Sequence, residues 1–201
     1  MGRLIGVFGG TFDPPHLGHL ILAEQALEAL DLEAVLWVLT PLSPLKPHGD
    51  RTPVELRSRL VETAIAGQPR FRLSRVEIDR QPPYYTVGTL EALRRLTPNQ
   101  PYAYLLGSDS LSAILDWHEP ARLLELCDVI GVMVRPGHDP RLARLEGRLP
   151  GIIGKARLFE APLLDISASD IRDRVRQGRS IRYLVPDSVE GLIQELGLYR
   201  E

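Results

Sequence analysis

From its first residues the chain alternates short apolar runs with amphipathic stripes. Leu4 to Phe8 is an apolar run ended by Gly9-Gly10, and Leu17, Leu20, Ile21, Leu27 and Leu30 then recur at helical spacing. This predicts a strand, a glycine turn and a helix over 17–30. Val35 to Leu39 reads as a second buried strand, followed by a loop holding Pro41, Pro44, Pro47 and Gly49. A helix is predicted from about Pro53 to Ala66, with proline at its start, where a missing N–H does no harm. Phe71 to Ile78 is expected to be extended, Thr86 to Leu96 helical, and Tyr102 to Leu106 a strand closed by Gly107. Asp128 to Val134 is a further strand, closed by Arg135, Pro136 and Gly137. The Gly-, Pro- and Arg-rich stretch to about Gly154 fits a loop or a short helix. Arg157 to Glu160 reads as a last short strand, and Ser169 to Arg176 and Asp187 to Leu196 as two helices separated by Gly178 and Pro186. Such alternation favours an α/β fold with a parallel sheet and helices on both faces, because parallel neighbours need a crossover long enough to hold a helix.

Composition narrows the classes. A chain of 201 residues suits one core with at most a small appendage. Lys and Arg number 24 against 26 Asp and Glu, so the basic excess needed to coat a polyanion is absent, although a local basic pocket stays open. A hydrophobic share of 44% excludes disorder. The single cysteine, Cys127, excludes an internal disulfide and a Cys-rich zinc site; a small buried apolar side chain is the favoured reading over a reactive thiol. Leu4 to Phe8 falls short of the roughly seven apolar residues of a signal-peptide core. Gly6 stands where a myristoylation signal wants Ser or Thr, and no run approaches the roughly 18 apolar residues of a membrane span. The expectation is a soluble, cytoplasmic chain with neither nucleic acid nor membrane as partner; self-association is left open.

In open parallel sheets, ligands sit beyond the carboxyl ends of the strands, where helix N-termini present unpaired N–H groups. The first such junction reads Gly9-Gly10-Thr11-Phe12-Asp13-Pro14-Pro15-His16-Leu17-Gly18-His19. The glycines would allow positive φ and the approach of an anion, and the helix start favours phosphate. Neither the dinucleotide fingerprint GxGxxG nor the P-loop pattern is present. His16 and His19, three apart, would project from one face of the opening turn toward one ligand, with Gly18 removing a side chain between them. Imidazole N–H groups there can offset charge that builds up when a phosphorus centre is attacked. The competing reading is that the histidines cap the helix or fill space. Zinc is disfavoured, because the spacing is not HExxH and a third ligand is missing.

The run Gly9 to His19 resembles the signature of the nucleotidyltransferase superfamily with its HxGH element. Ile166-Ser167-Ala168-Ser169-Asp170-Ile171-Arg172 is similar to that superfamily's ISSTxIR element, with Ala168 and Ser169 departing from the usual serine and threonine. Tyr85 to Leu90, Leu106 to Asp109 followed by Trp117, Arg135-Pro136-Gly137 and Tyr183 to Pro186 look like one branch, the bacterial nicotinate mononucleotide adenylyltransferases. Gly88 departs from that branch, which usually carries aspartate there. The resemblance spans nearly the whole chain in order. It implies a Rossmann-like parallel sheet of nucleotidyltransferase type, a single domain over 1–201 with a helical C-terminal part from about 166, and transfer of the adenylyl group of ATP to nicotinate mononucleotide with release of pyrophosphate.

The site residues follow from the same resemblance. His16, His19 and Arg172 would be catalytic, and Gly9, Gly10, Thr11, Gly107, Asp109, Ile166 and Ser169 would join them in binding ATP. Lys46, Thr86, Trp117 and His118 would bind nicotinate mononucleotide, Trp117 by stacking on the pyridine ring and Thr86 and His118 through main-chain N–H groups. Magnesium would come bound to the ATP phosphates, with no protein cage of its own. Arg57 also matches a family position, although an arginine on a helix is more often a surface charge. The rivals are an adenylyltransferase for nicotinamide mononucleotide or phosphopantetheine, and a nucleotide-sensing protein without turnover.

Overall fold

The computed structural model describes residues 2–42, 52–134, 140–162 and 164–200. In chain order the elements are β1 (Ile5–Gly10), α1 (Leu17–Ala29), β2 (Ala34–Leu39), α2 (Val54–Ile65), β3 (Phe71–Ser74), α3 (Thr86–Leu96), β4 (Tyr102–Gly107), α4 (Ser108–Ser112), α5 (Pro120–Leu126) and β5 (Val129–Val134). They continue with α6 (Leu142–Glu146), α7 (Ile152–Lys155), β6 (Ala156–Glu160), α8 (Ala168–Arg176) and α9 (Asp187–Glu195). The six strands form one parallel sheet in the order β3-β2-β1-β4-β5-β6. The expected parallel α/β architecture is therefore the observed one. The order reverses between β1 and β4, and a crevice opens at such a switch point.

Alternate strand residues face opposite layers. Val7, Val38, Tyr104, Leu106, Ile130 and Val132 pack with Val87, Leu90 and Leu93 of α3 and with Leu123 and Leu124 of α5. Phe8, Val35, Trp37, Leu105 and Phe159 pack on the other face with Leu22, Ala23, Ala26 and Leu27 of α1 and Val61 and Ile65 of α2. A third cluster joins Leu60 of α2 to Ile171 of α8 and to Val189 and Ile193 of α9. That cluster brings the C-terminal helices back to the first half of the chain.

Three expectations need correction. The extended stretch predicted to Ile78 ends at Ser74, which pairs with Val38 one residue before β2 itself ends. Without a ladder partner the chain bends, with Asp79 N–H donating to the Arg75 carbonyl. Gly9 and Gly10 do not take positive φ: they are the last residues of β1, in register with Val38 and Leu39. The left-handed residue is Phe12, with φ 45°. Gly10 is glycine for another reason, because a Cβ there would meet the Phe12 ring at 2.8 Å. Between Gly107 and Asp128, where no element is predicted, lie α4, a 3-10 turn over Ile114–Asp116 and α5. Their apolar residues are too few per element to show a period. The ambiguous stretch before β6 holds α6 and α7.

Candidate active site at the switch point

A cavity of about 700 Å³ opens where β1 and β4 part. It is the size of a typical small-molecule site. Its floor is the carboxyl end of β1, with Gly9, Gly10 and Thr11, and of β4, with Tyr104 to Gly107. His19 enters from α1, and Thr86, Trp117 and His118 form the far wall. Of the residues singled out from the sequence, these eight line the cavity: Gly9, Gly10, Thr11, His19, Thr86, Gly107, Trp117 and His118. Lys46 lies outside the described residues, as does the Arg135-Pro136-Gly137 element.

His16 does not line the cavity. It occupies the N-cap position of α1, is 8% exposed and stacks on His19 with ring centroids 3.6 Å apart. Burial pushes its imidazole down to about 4, so the ring is neutral near pH 7. The His16 main-chain N–H donates to His19 Nδ1 at 3.2 Å. A ring nitrogen that accepts carries no proton, so in neutral His19 the N–H is on Nε2. The two rings are thus placed differently: His16, the N-cap residue, is buried against its neighbour, and His19 stands at the cavity. Gly18 leaves room for the stack, because a Cβ there would lie 3.1 Å from His16 Nδ1, a tight approach.

Arg172 reaches the same turn from the other end of the chain. Its Nη1 donates to the Asp13 carbonyl at 2.7 Å, three residues before His16. Ile171, the residue before it, is fully buried in the cluster with α2 and α9, which fixes α8 against this region. Ser169 and Ile166 do not line the cavity: Ser169 Oγ is exposed and lies 3.1 Å from Ser167 Oγ, while Ile166 packs on the C-terminal cluster. Ser167 caps α8 by accepting from the Asp170 N–H at 3.1 Å. Asp109 is exposed in the first turn of α4, whose N-cap is Gly107.

Arg57 is not a surface charge. It is 2% exposed, and its guanidinium donates to the carbonyls of Thr52, Thr11, Thr40 and Pro41 at 2.8–2.9 Å. It ties the ends of β1 and β2 to the start of α2. The helix stripe conceals this role, since only the fold brings those four carbonyls together.

The far wall holds residues that the sequence did not single out. Glu77, 4% exposed, lines the cavity, and the Thr89 hydroxyl donates to its Oε1. Burial pushes this carboxyl above its usual range. Arg80 Nη2 stands 4.0 Å from the carboxylate, and the same guanidinium donates to the carbonyls of Pro83 at 2.7 Å and Tyr85 at 3.3 Å. It thereby shapes the segment that leads to Thr86. A Cβ on Gly88 would lie 3.5 Å from Arg80 Nη1, so an aspartate there would meet that guanidinium. Trp117 packs edge-on against Tyr104 at 5.9 Å, and His118 stacks on Tyr85 at 4.1 Å. The Thr86 and Tyr104 hydroxyls are 3.4 Å apart. The sequence marks this wall at Tyr85 to Leu90, Trp117 and His118, while nothing in it marks Glu77 or Arg80.

Chemically, the β1 side offers hydroxyl, imidazole and main-chain donors, a set matched to phosphate oxygens. The far side offers flat aromatic surface. No three His, Cys, Asp or Glu side chains converge on a metal position among the described residues. None of the described helices is long and apolar enough to cross a membrane.

Residues 7–174 match the cytidylyltransferase-like family model. A probable nicotinate-nucleotide adenylyltransferase of Thermomicrobium roseum is 44% identical, covering 100% of this chain and 92% of its own length. Another, from Thermus thermophilus, is 43% identical over 98% of this chain and 99% of its own. Among solved structures, the Plasmodium falciparum nicotinic acid mononucleotide adenylyltransferase complexed with NaAD superposes with a TM-score of 0.80 at 20% identity, covering 98% of each chain. The chain belongs to the cytidylyltransferase-like family, in the branch of the nicotinate-nucleotide adenylyltransferases.

Proposed function

We propose that the chain transfers the adenylyl group of ATP to nicotinate mononucleotide, forming nicotinate adenine dinucleotide and pyrophosphate. The observation that carries this reading is the division of one cavity into a donor-rich β1 side and an aromatic far side, with His19 on the first and Trp117 on the second. Relatives at 43–44% identity carry the name of this activity. The attacking group is the mononucleotide phosphate, already ionised near neutral pH, so no general base is needed. Catalysis then consists of aligning two polyanions and stabilising charge on the α-phosphate and the leaving pyrophosphate.

His19 Nε2–H donates to ATP phosphate, oriented by the bond that its Nδ1 accepts from His16. Buried, neutral His16 serves mainly through that main-chain bond and the ring stack. Gly9, Gly10 and Thr11 line the phosphate path, and Arg172, Ser169, Ile166 and Asp109, none of which lines the cavity, are assigned to ATP on the family resemblance. Trp117 stacks on the pyridine ring, and Thr86 and His118 meet its carboxylate through main-chain N–H groups. Lys46 is assigned to the acceptor phosphate on the family resemblance alone. Magnesium would arrive with ATP, held by phosphate oxygens and water, and would offset phosphate charge beside the N–H and hydroxyl donors of the β1 side. The whole chain acts as one unit in the cytoplasm, where ATP is supplied.

The test is pyrophosphate release from ATP and magnesium with each acceptor in turn. Nicotinate mononucleotide should support turnover well above nicotinamide mononucleotide and phosphopantetheine. No release with either pyridine mononucleotide would sink the reading, and preference for phosphopantetheine would replace it.

A further inference from the structure

The turn that leads into the histidines is gripped by the far end of the chain. Leu17 N–H donates to the Leu184 carbonyl at 3.0 Å, and Arg172 holds the Asp13 carbonyl. A third contact comes from Tyr199, whose hydroxyl donates to Asp13 Oδ1 at 2.7 Å across 186 residues of sequence. The Asp13 carboxylate is 5% exposed, and its Oδ2 lies 3.4 Å from the Thr52 N–H. Tyr199 itself has a φ of 65°, in the left-handed region that disfavours a bulky side chain. Such a conformation persists only where surrounding contacts impose it. Here the ring packs against the cluster of Leu60, Ile171, Val189 and Ile193, which aims the hydroxyl at Asp13.

We propose that Tyr199 is a positioning residue for the phosphate side of the site: its hydroxyl fixes the Asp13 carboxylate, and with it the main chain between the Arg172 anchor and His16. The proposal rests on the adenylyl-transfer reading for its kinetic consequence, but its structural consequence is independent of that reading. A hydrogen bond from a neutral donor to a buried carboxylate is of the stronger kind. Removing the hydroxyl alone should loosen residues 11–19 while leaving the sheet intact.

The experiment uses the full chain with Tyr199→Phe, Asp13→Asn and the double variant, read by amide hydrogen exchange and by pyrophosphate release. In Tyr199→Phe, exchange over residues 11–19 should rise about tenfold while β4 and β5 stay unchanged. The kcat/KM for ATP should fall by about the same factor, with the KM for nicotinate mononucleotide within about twofold. The double variant should lose less than the product of the single losses, because both remove one contact. Unchanged exchange over 11–19, exchange raised equally throughout the sheet, or fully multiplicative losses would each overturn the proposal. If the unaltered chain released no pyrophosphate, the functional reading would fall, and the exchange measurement would still decide the role of Tyr199.

Discussion

The two walls of the cavity are built on opposite plans. The β1 wall comes from one contiguous run, Gly9 to His19, whose donors are set by main-chain bonds and by cations arriving from elsewhere, Arg57 on the Thr11 carbonyl and Arg172 on the Asp13 carbonyl. The far wall is assembled from separate segments around Glu77, Tyr85, Tyr104 and Trp117, and its polar groups, Glu77, Thr89 and Arg80, hold one another. The difference suits the two ligands. A phosphate chain needs donors at fixed positions, whereas a flat ring needs surface, and surface tolerates looser placement.

The comparison breaks most directly at His19. His19→Ala should lower turnover by roughly a hundred- to a thousandfold, the usual cost of losing one donor to a developing charge, with little change in melting temperature. Full activity in that variant would remove the β1 wall from the chemistry. Arg57→Leu should act on stability instead. Four carbonyls lose their donor in a buried place, and urea unfolding should register a loss of about 3 kcal/mol. A loss below about 1 kcal/mol would mean that water replaces the guanidinium without penalty.

The third effect depends on pH. Because burial pushes His16 from 6.5 to about 4, the unfolded chain binds the proton more readily than the folded one. Its contribution to stability is complete above about pH 6.5 and is lost as the pH falls toward 4, amounting to about 3 kcal/mol over that window. Unfolding curves of His16→Asn should lack that part of the acid sensitivity; identical acid sensitivity in both would show that His16 is not the group responsible. The smallest effect belongs to the far wall. Trp117→Ala should raise the KM for the acceptor about tenfold and leave that for ATP nearly unchanged, the result expected of the proposed stacking role. Equal losses for both substrates would show that the two walls are not separate.

Legibility followed contiguity. The β1 turn could be read because its residues are neighbours in the chain and glycines and histidines there have few other uses. Even so, its conformation was misjudged: the positive φ sits on Phe12, and the glycines serve close packing. Thr86–Leu96 was legible to its ends because Val87, Leu90 and Leu93 recur at helical spacing and are buried on one face. Glu77 was illegible, since a carboxylate after a short strand looks solvated until the fold buries it.

By itself the sequence determined the alternation of strand and helix and the position of the first glycine- and histidine-bearing turn; that a distant arginine-bearing element belongs with this turn was implied by the family resemblance alone. Period and residue type are local properties, and a chain carries them before it folds. Only the tertiary structure decided that His16 lies buried against His19, that Arg57 spans four carbonyls and that Tyr199 closes on Asp13. Burial and long-range hydrogen bonds depend on which segments the sheet order brings together.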